Sequence, residues 1–197
     1  MIDTLLEKNW IPDFLIRSQI RRLNQRRLKS EAQKHADGYK TELVKELKSS
    51  PIAIETIAAN DQHYEVPPEF FERCLGKHLK YSCCYWPNGV SNLDQAESSM
   101  LELTCERAEL KDGQTILELG CGWGAISLWM AEQYPNSKIL SVSNSNDQRK
   151  FIETTAAQRG LQNLQVQTCD MNSFETDQTF DRVVSVEMFE HMKNYDE

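Results

Sequence analysis

Residues 115–134, TILELGCGWGAISLWMAEQY, constrain the fold more than any other part of this sequence. The apolar run 115–119 reads as a short strand, and 125–134 as a helix. Three glycines at alternate positions lie between them. Gly120 and Gly122 lack a Cβ, so the chain can turn sharply there and approach a ligand closely. Gly124 lets the helix pack tightly on the strand. The loop runs into a helix N-terminus, whose free N–H groups favour a carboxylate or phosphate.

The same rhythm continues downstream. Residues 138–143 (KILSVS) read as a second strand, 147–159 as a second helix ending at Gly160, and 164–170 as a third strand. Segment 180–192 opens with a fourth. Repeated strand–helix units imply a parallel sheet with right-handed crossovers. The fold class is therefore α/β, a Rossmann-like sheet of four strands preceded by an N-terminal helical region. The division expected is a helical segment 1–60, a helical cap 61–110 and an incomplete sheet domain 111–197. In the first, apolar residues from Leu5 to Leu28 recur at helical spacing until Ser49-Ser50-Pro51 breaks the pattern. A short helix and a polar turn at Asn60-Asp61-Gln62 follow. Pro67-Pro68 opens another short helix. Residues 94–110 read as an amphipathic helix, with Ala96, Met100, Leu103 and Ala108 on or near one face.

Charge is spread unevenly. The net value is −8, of which residues 1–50 carry +4 (11 Lys/Arg, 7 Asp/Glu) and the remainder −12 (11 and 23). The acidic body excludes a general nucleic-acid binder, which needs a basic surface for phosphates. Arg17, Arg21, Arg22, Arg26, Arg27 and Lys29 have no acid among them. They read as a solvated helix face, or more sharply as a contact for anionic lipid or an acidic partner. No apolar run reaches the roughly 20 residues that span a bilayer. The N-terminus lacks a signal-peptide pattern, and Asp3, Glu7 and Asp13 do not suit a transit peptide. A soluble, cytoplasmic protein is expected. The six cysteines show no CxxC and no zinc spacing with histidine, so reduced thiols, mostly in the core, and no metal site are expected.

Glu118-x-Gly120-x-Gly122-x-Gly124 departs from the dinucleotide pattern G-x-G-x-x-G. It resembles motif I of class I (Rossmann-like) methyltransferases. That resemblance implies S-adenosyl-L-methionine as cofactor, with the loop around Glu118 cradling its amino-acid end. The second strand usually ends in an acid for the ribose hydroxyls. Here Ser143, Asn144 and Ser145 stand in its place, followed by Asp147 and Gln148. Asp170 would accept from the adenine amine, with Met171 against the ring. A second segment, HYEVPPEFFERCLGKHLKYSCCYW (63–86), resembles the N-terminal signature of the cyclopropane-fatty-acyl-phospholipid synthase superfamily. That superfamily includes mycolic acid cyclopropane synthases and coclaurine N-methyltransferase-like enzymes. The resemblance implies that Tyr81, Ser82 and Cys83 fold over the cofactor.

A third segment, VEMFEHMKNY (186–195), resembles the coclaurine N-methyltransferase branch and implies catalytic roles for Glu187, Glu190 and His191. Cyclopropane synthases usually carry glycine where Glu187 stands, and use the glutamate matching Glu190 to hold bicarbonate. If this stretch is helical, the three side chains share one face at i, i+3 and i+4. A protonated amine has no lone pair for a methyl group; Glu187 could anchor it, and Glu190 with His191 take its proton. Three functions follow, in order: methylation of a small amine; cyclopropane-type chemistry on an unsaturated lipid acyl chain; and a cofactor- or partner-binding module without turnover. The family sheet has seven strands in the order 3-2-1-4-5-7-6. Only four can be read here, so the chain is expected to be a fragment with an open edge at the fourth strand and impaired turnover.

Overall fold

The computed structural model describes residues 2–34, 38–54 and 68–196, and the chain forms two compact units, 1–49 and 50–197. The first unit holds three helices: α1 (Ile2–Glu7), α2 (Asp13–Lys34) and α3 (Tyr39–Ser49). α3 stops where Ser49-Ser50-Pro51 predicted a break. α2 buries none of its residues, and Phe14, Ile20, Leu23 and Leu28 are exposed along it. Two members of its basic run pair at i,i+4, Arg17 with Asp13 at 2.7 Å and Arg27 with Glu31 at 2.9 Å. Such exposed pairs contribute ~0.5 kcal/mol each. Among the described residues, no helix is long and apolar enough to cross a membrane. The short helix and turn expected after Pro51 fall largely in residues outside the described ones.

The second unit contains α4 (Pro68–Cys74), α5 (Leu93–Arg107), β1 (Thr115–Leu119), α6 (Ala125–Gln133), β2 (Lys138–Ser143), α7 (Asn146–Gln158), β3 (Leu164–Thr168) and β4 (Arg182–Ser185). Single 3-10 turns follow β3 and β4, at Met171–Ser173 and Phe189–His191. The strands are ordered β3-β2-β1-β4 and every pair is parallel. This is the α/β arrangement expected. One face of the sheet buries Ile116, Ile139 and Val184 against Leu101 of α5 and Ile126 and Met130 of α6. The other buries Leu117, Leu140 and Val142, with Phe174 and Phe180 packed on them. Both faces of β1 are thus covered, which is why Ile116 and Leu117, which point to opposite faces, are both apolar.

Two expectations need correcting. The buried residues of α5 are Ala96, Glu97, Leu101 and Cys105, so the face is rotated away from Met100 and Leu103. The cause is Glu97, which turns inward to meet backbone amides, as described below. Of the cysteines, only Cys105 and Cys121 are buried; Cys74 and Cys83 are exposed, and Cys84 and Cys169 lie between. Cys74 sits at the end of a short helix, and Cys83 and Cys84 in the irregular loop between α4 and α5. All six thiols are free.

Gly124 caps α6 in the left-handed region at φ +83°. A Cβ there would lie 2.6 Å from Ile152 Cγ1 on α7. The close approach that requires this glycine is therefore between two helices, not, as expected, between helix and strand.

Candidate functional site

A cleft of about 270 Å³ opens at the carboxyl ends of all four strands. This is where open parallel sheets bind ligands. Of the residues singled out from sequence for the cofactor and the reaction, Gly124, Cys83, Ser145 and Asp147 do not line it; the others do.

Glu118, near the end of β1, is 1% exposed. Its Oε2 accepts hydrogen bonds from Ser127 Oγ on α6 at 2.5 Å and from Ser141 Oγ, its register neighbour on β2, at 2.6 Å. Its Oε1 is buried and has no partner among the described residues. Burial lifts the carboxyl from its ordinary 4.5 to about 7, against the pull of the two serine hydrogen bonds. A carboxyl of this kind binds its proton more tightly folded than unfolded. Its stabilising effect is complete below about pH 4.5 and is lost as pH rises through about 7. The loss amounts to about 3 kcal/mol. Chemical unfolding of the ligand-free protein at pH 5 and pH 8 should show this fall, and Glu118→Gln should flatten it. Equal slopes in the two proteins would remove Glu118 as the cause.

The glycine loop divides its amides in a way the sequence did not reveal. Gly120 N–H and Cys121 N–H both donate to Val142 O, at 3.0 and 3.1 Å, and Gly124 N–H donates to Cys121 O at 2.9 Å. Among the described residues, Gly122 N–H and Trp123 N–H have no backbone acceptor. The amides open to a ligand are therefore those of the loop's crest. Gly122 lies at φ +51°, and nothing occupies the space within 4 Å of where its Cβ would be. The Trp123 indole N–H is also buried without a partner. Trp123 is not among the residues that the sequence marks for the site. Its signal was an aromatic residue inside a loop of glycines, 3% exposed once folded.

The end of β2 is tied by side-chain hydrogen bonds. Ser143 Oγ donates to Gln148 Oε1 at 2.6 Å and accepts from Ser145 N–H at 3.0 Å, while Ser145 Oγ caps α7 at Gln148 N–H. Ser143, Asn144 and Gln148 line the cleft. Asp147 does not; it pairs with Lys150 in solvent at 3.6 Å. After β3, Asp170 Oδ1 accepts from Asn172 N–H and from Asn172 Nδ2, both at 2.8 Å, and Met171 packs toward the Leu117–Val142 core. The Asn172 side chain also bonds both polar groups of the Ala53 peptide, at 2.9 and 3.0 Å, and Ala53 bridges antiparallel to Met192. This ties segment 50–54 across the cleft, an element absent from the sequence reading.

After β4 the chain does not become an α-helix. Glu187 takes the left-handed region at φ +53°, and only one 3-10 turn follows. The expected i, i+3, i+4 face is therefore not what gathers Glu187, Glu190 and His191. They converge on the cleft mouth because the left-handed residue redirects the chain. All three are exposed there, and among the described residues no hydrogen bond links them to one another. Glu187 Oε1 instead accepts from Cys83 N–H at 3.3 Å.

The remaining wall is the loop 75–82, with Tyr81 and Ser82 on the cleft. Phe71 holds it to the glycine loop: its ring meets Tyr81 edge-on at 5.0 Å and Trp123 at 5.5 Å. The loop is anchored from below by Glu97, which is fully buried. Oε1 accepts from Gly76 N–H at 2.8 Å and Lys80 N–H at 3.2 Å, and Oε2 from His78 N–H at 2.8 Å. Asp94 takes Lys77 N–H at 2.8 Å. Among the described residues, no group of three or more His, Cys, Asp or Glu side chains could hold a metal ion.

Residues 53–197 match the mycolic acid cyclopropane synthetase family. An (S)-coclaurine N-methyltransferase of Thalictrum flavum subsp. glaucum is 42% identical over 194 residues, 97% of this chain and 54% of that relative. A crystal structure of coclaurine N-methyltransferase bound to N-methylheliamine and SAH superimposes with a TM-score of 0.83 at 39% identity, over 98% of this chain and 56% of that one. A mycolic acid cyclopropane synthase complexed with SAH gives 0.62 at 28% identity, over 69% and 47%. The chain thus spans about half the length of these proteins. It belongs to the mycolic acid cyclopropane synthetase family, and its sheet is the class I methyltransferase sheet.

Proposed function

We propose that, within this family, the chain is the cofactor-binding part of an S-adenosyl-L-methionine-dependent methyltransferase acting on the nitrogen of a small amine. The observation that carries this reading is the pairing, in one cleft, of a buried carboxylate oxygen without a partner and two bare amides at the crest of a glycine loop. These suit a zwitterion: Glu118 for the ammonium, and the amides of Gly122 and Trp123 for the carboxylate. Gly120 and Gly124 shape that loop. Ser143, Asn144 and Gln148 would meet the ribose hydroxyls, Asp170 the adenine amine, and Met171 the ring face. Tyr81 and Ser82 would close over the bound molecule and exclude water.

When bound, S-adenosyl-L-methionine supplies an electrophilic methyl group. The chain's own part is to present a nitrogen with a free lone pair. An amine at neutral pH is mostly protonated. Glu187 would hold the ammonium at the cleft mouth, and Glu190 with His191 would accept its proton. Alignment of the nitrogen with the methyl group then does most of the remaining work.

Two observations favour an amine over an unsaturated lipid acyl chain. The likeness to the coclaurine N-methyltransferase structure extends over 98% of the chain, whereas that to the cyclopropane synthase covers 69%. A carboxylate also stands at 187, where the lipid enzymes were expected to have glycine. A binding module without turnover is the remaining alternative.

Calorimetry with S-adenosylhomocysteine tests the cofactor reading. Binding at micromolar concentration is expected, with a proton released near pH 7 as Glu118 ionises beside the ligand's ammonium. No heat from a folded sample would overturn it. Methyl transfer from labelled cofactor, offered to small cyclic amines and to vesicles of unsaturated phospholipid, then separates the three functions. Incorporation into lipid alone would reverse the amine assignment.

A further inference from the structure

We propose that Lys80 is a further ligand-binding residue of this cleft, its ammonium acting with the Ser82 hydroxyl as the receptor for the carboxylate of the cofactor's amino-acid end. The inference rests on the S-adenosyl-L-methionine reading above. Lys80 is 4% exposed and lines the cleft. Lysine is almost never this buried without an opposite charge. Yet among the described residues no carboxylate forms an ion pair with its Nζ. Glu97, the buried acid of this loop, takes the backbone N–H of Lys80, not its ammonium.

The ammonium donates to Ser82 Oγ and, at 2.8 Å, to Cys83 O. It has three protons, and these two bonds leave one without an acceptor among the described residues. The bond to Ser82 has a second consequence. A lone pair of Ser82 Oγ is occupied by the ammonium, so the hydroxyl proton is directed elsewhere, and it has no acceptor among the described residues. A cationic N–H and a polarised O–H thus sit side by side on the cleft wall, a fork suited to a carboxylate. Phe71, in contact with both Tyr81 and Trp123, holds this fork beside the loop whose crest amides are bare. The acidic residues lining the cleft are Glu118, Asp170, Glu187 and Glu190. Lys80 is the counter-charge that lets it accept an anionic group among four acids.

The same geometry offers Lys80 a different role. The main chain of Cys83 links the two, its N–H donating to Glu187 and its C=O accepting from Lys80. In that case Lys80 would act on the amine side through Glu187.

Calorimetry on the whole chain separates these. S-adenosylhomocysteine carries the amino-acid end, and 5′-methylthioadenosine lacks it. Lys80→Met should weaken S-adenosylhomocysteine about tenfold to fiftyfold and leave 5′-methylthioadenosine within about twofold. Lys80→Arg should recover most of the loss, and adding Ser82→Ala to Lys80→Met should cost less than the two changes separately. Where the methionine variant does not fold, Lys80→Gln reads the same difference without the charge. Unchanged affinity for S-adenosylhomocysteine would overturn the inference and favour the amine side. Equal weakening of both ligands would reduce Lys80 to a structural residue. Failure of the unmodified chain to bind either ligand would overturn the cofactor reading itself, and this inference with it.

Discussion

A Glu97→Leu variant should bind S-adenosylhomocysteine about a thousandfold more weakly than the parent chain while keeping its parallel sheet. Glu97 touches no part of the cleft directly. Its carboxylate satisfies the amides of Gly76, His78 and Lys80, Asp94 takes that of Lys77, and Leu79 N–H returns to Gly76 O at 3.0 Å. Every amide from 76 to 80 is accounted for, three of them by one buried side chain. Leucine fills similar space but accepts nothing. Each amide left buried and unbonded costs about 1–3 kcal/mol, so three of them together cost about 3–9 kcal/mol, a range that includes the ~4 kcal/mol of a thousandfold loss. The loop has a cheaper course: it detaches and gives its amides to water, while the sheet and its two apolar clusters stay intact. Tyr81, Ser82 and Lys80 then leave the cleft wall. A ligand must pull the loop back before it can bind, and its affinity falls by the fraction of molecules still closed. Glu97→Gln should fall between, since one oxygen still accepts but the other position now presents N–H to N–H. Calorimetry gives the affinity, and hydrogen exchange at residues 76–80 gives the cause. Protected amides together with near-parental affinity would show that Glu97 does not hold this wall.

Glu97 also marks the limit of what could be read from the sequence. The strand–loop–helix unit at 115–134 was legible because each local signal agreed: an apolar strand, alternating glycines, an apolar helix. The later strands followed from the same rhythm, and their order from right-handed crossovers and the family resemblance. Glu97 was not legible, because helical periodicity places a charged residue outward. Its partners are backbone amides 17–21 residues earlier in the chain, and they have no side-chain signature. The glycine loop shows the same boundary. That it would bare amides to a ligand could be argued from its residues. Which amides could not, since that depends on Val142 O, a carbonyl on the next strand. Asp147 was misread for a simpler reason: the first turn of α7 points it at Lys150 and away from the cleft.

Glu187→Gly should separate stability from activity: a protein more stable by about 1 kcal/mol, with amine methylation reduced at least a hundredfold. The stability gain follows from the backbone. At φ +53° a side chain crowds its own carbonyl, and glycine does not. The substitution also removes the acceptor of Cys83 N–H, but Cys83 is exposed and water replaces it at little cost. Strain of this kind persists where function needs the side chain that causes it. Here it places a carboxylate at the mouth of the cleft, between the Cys83 amide and the turn carrying Glu190 and His191. On the proposed roles, a protonated amine would lose its anchor without that charge, and Glu190 and His191 would face an acceptor molecule that is no longer held. Glu187→Gln separates the two effects. It keeps the strained backbone and the acceptor for Cys83 but not the charge, so methylation should fall as far with no gain in stability. S-adenosylhomocysteine affinity should change little in either variant, because the proposed cofactor contacts lie on other elements. Chemical unfolding, calorimetry and labelled methyl transfer to the same amine give the three quantities. A glycine variant that is less stable than the parent, or that methylates amines at the parental rate, would break the link between this backbone conformation and the reaction.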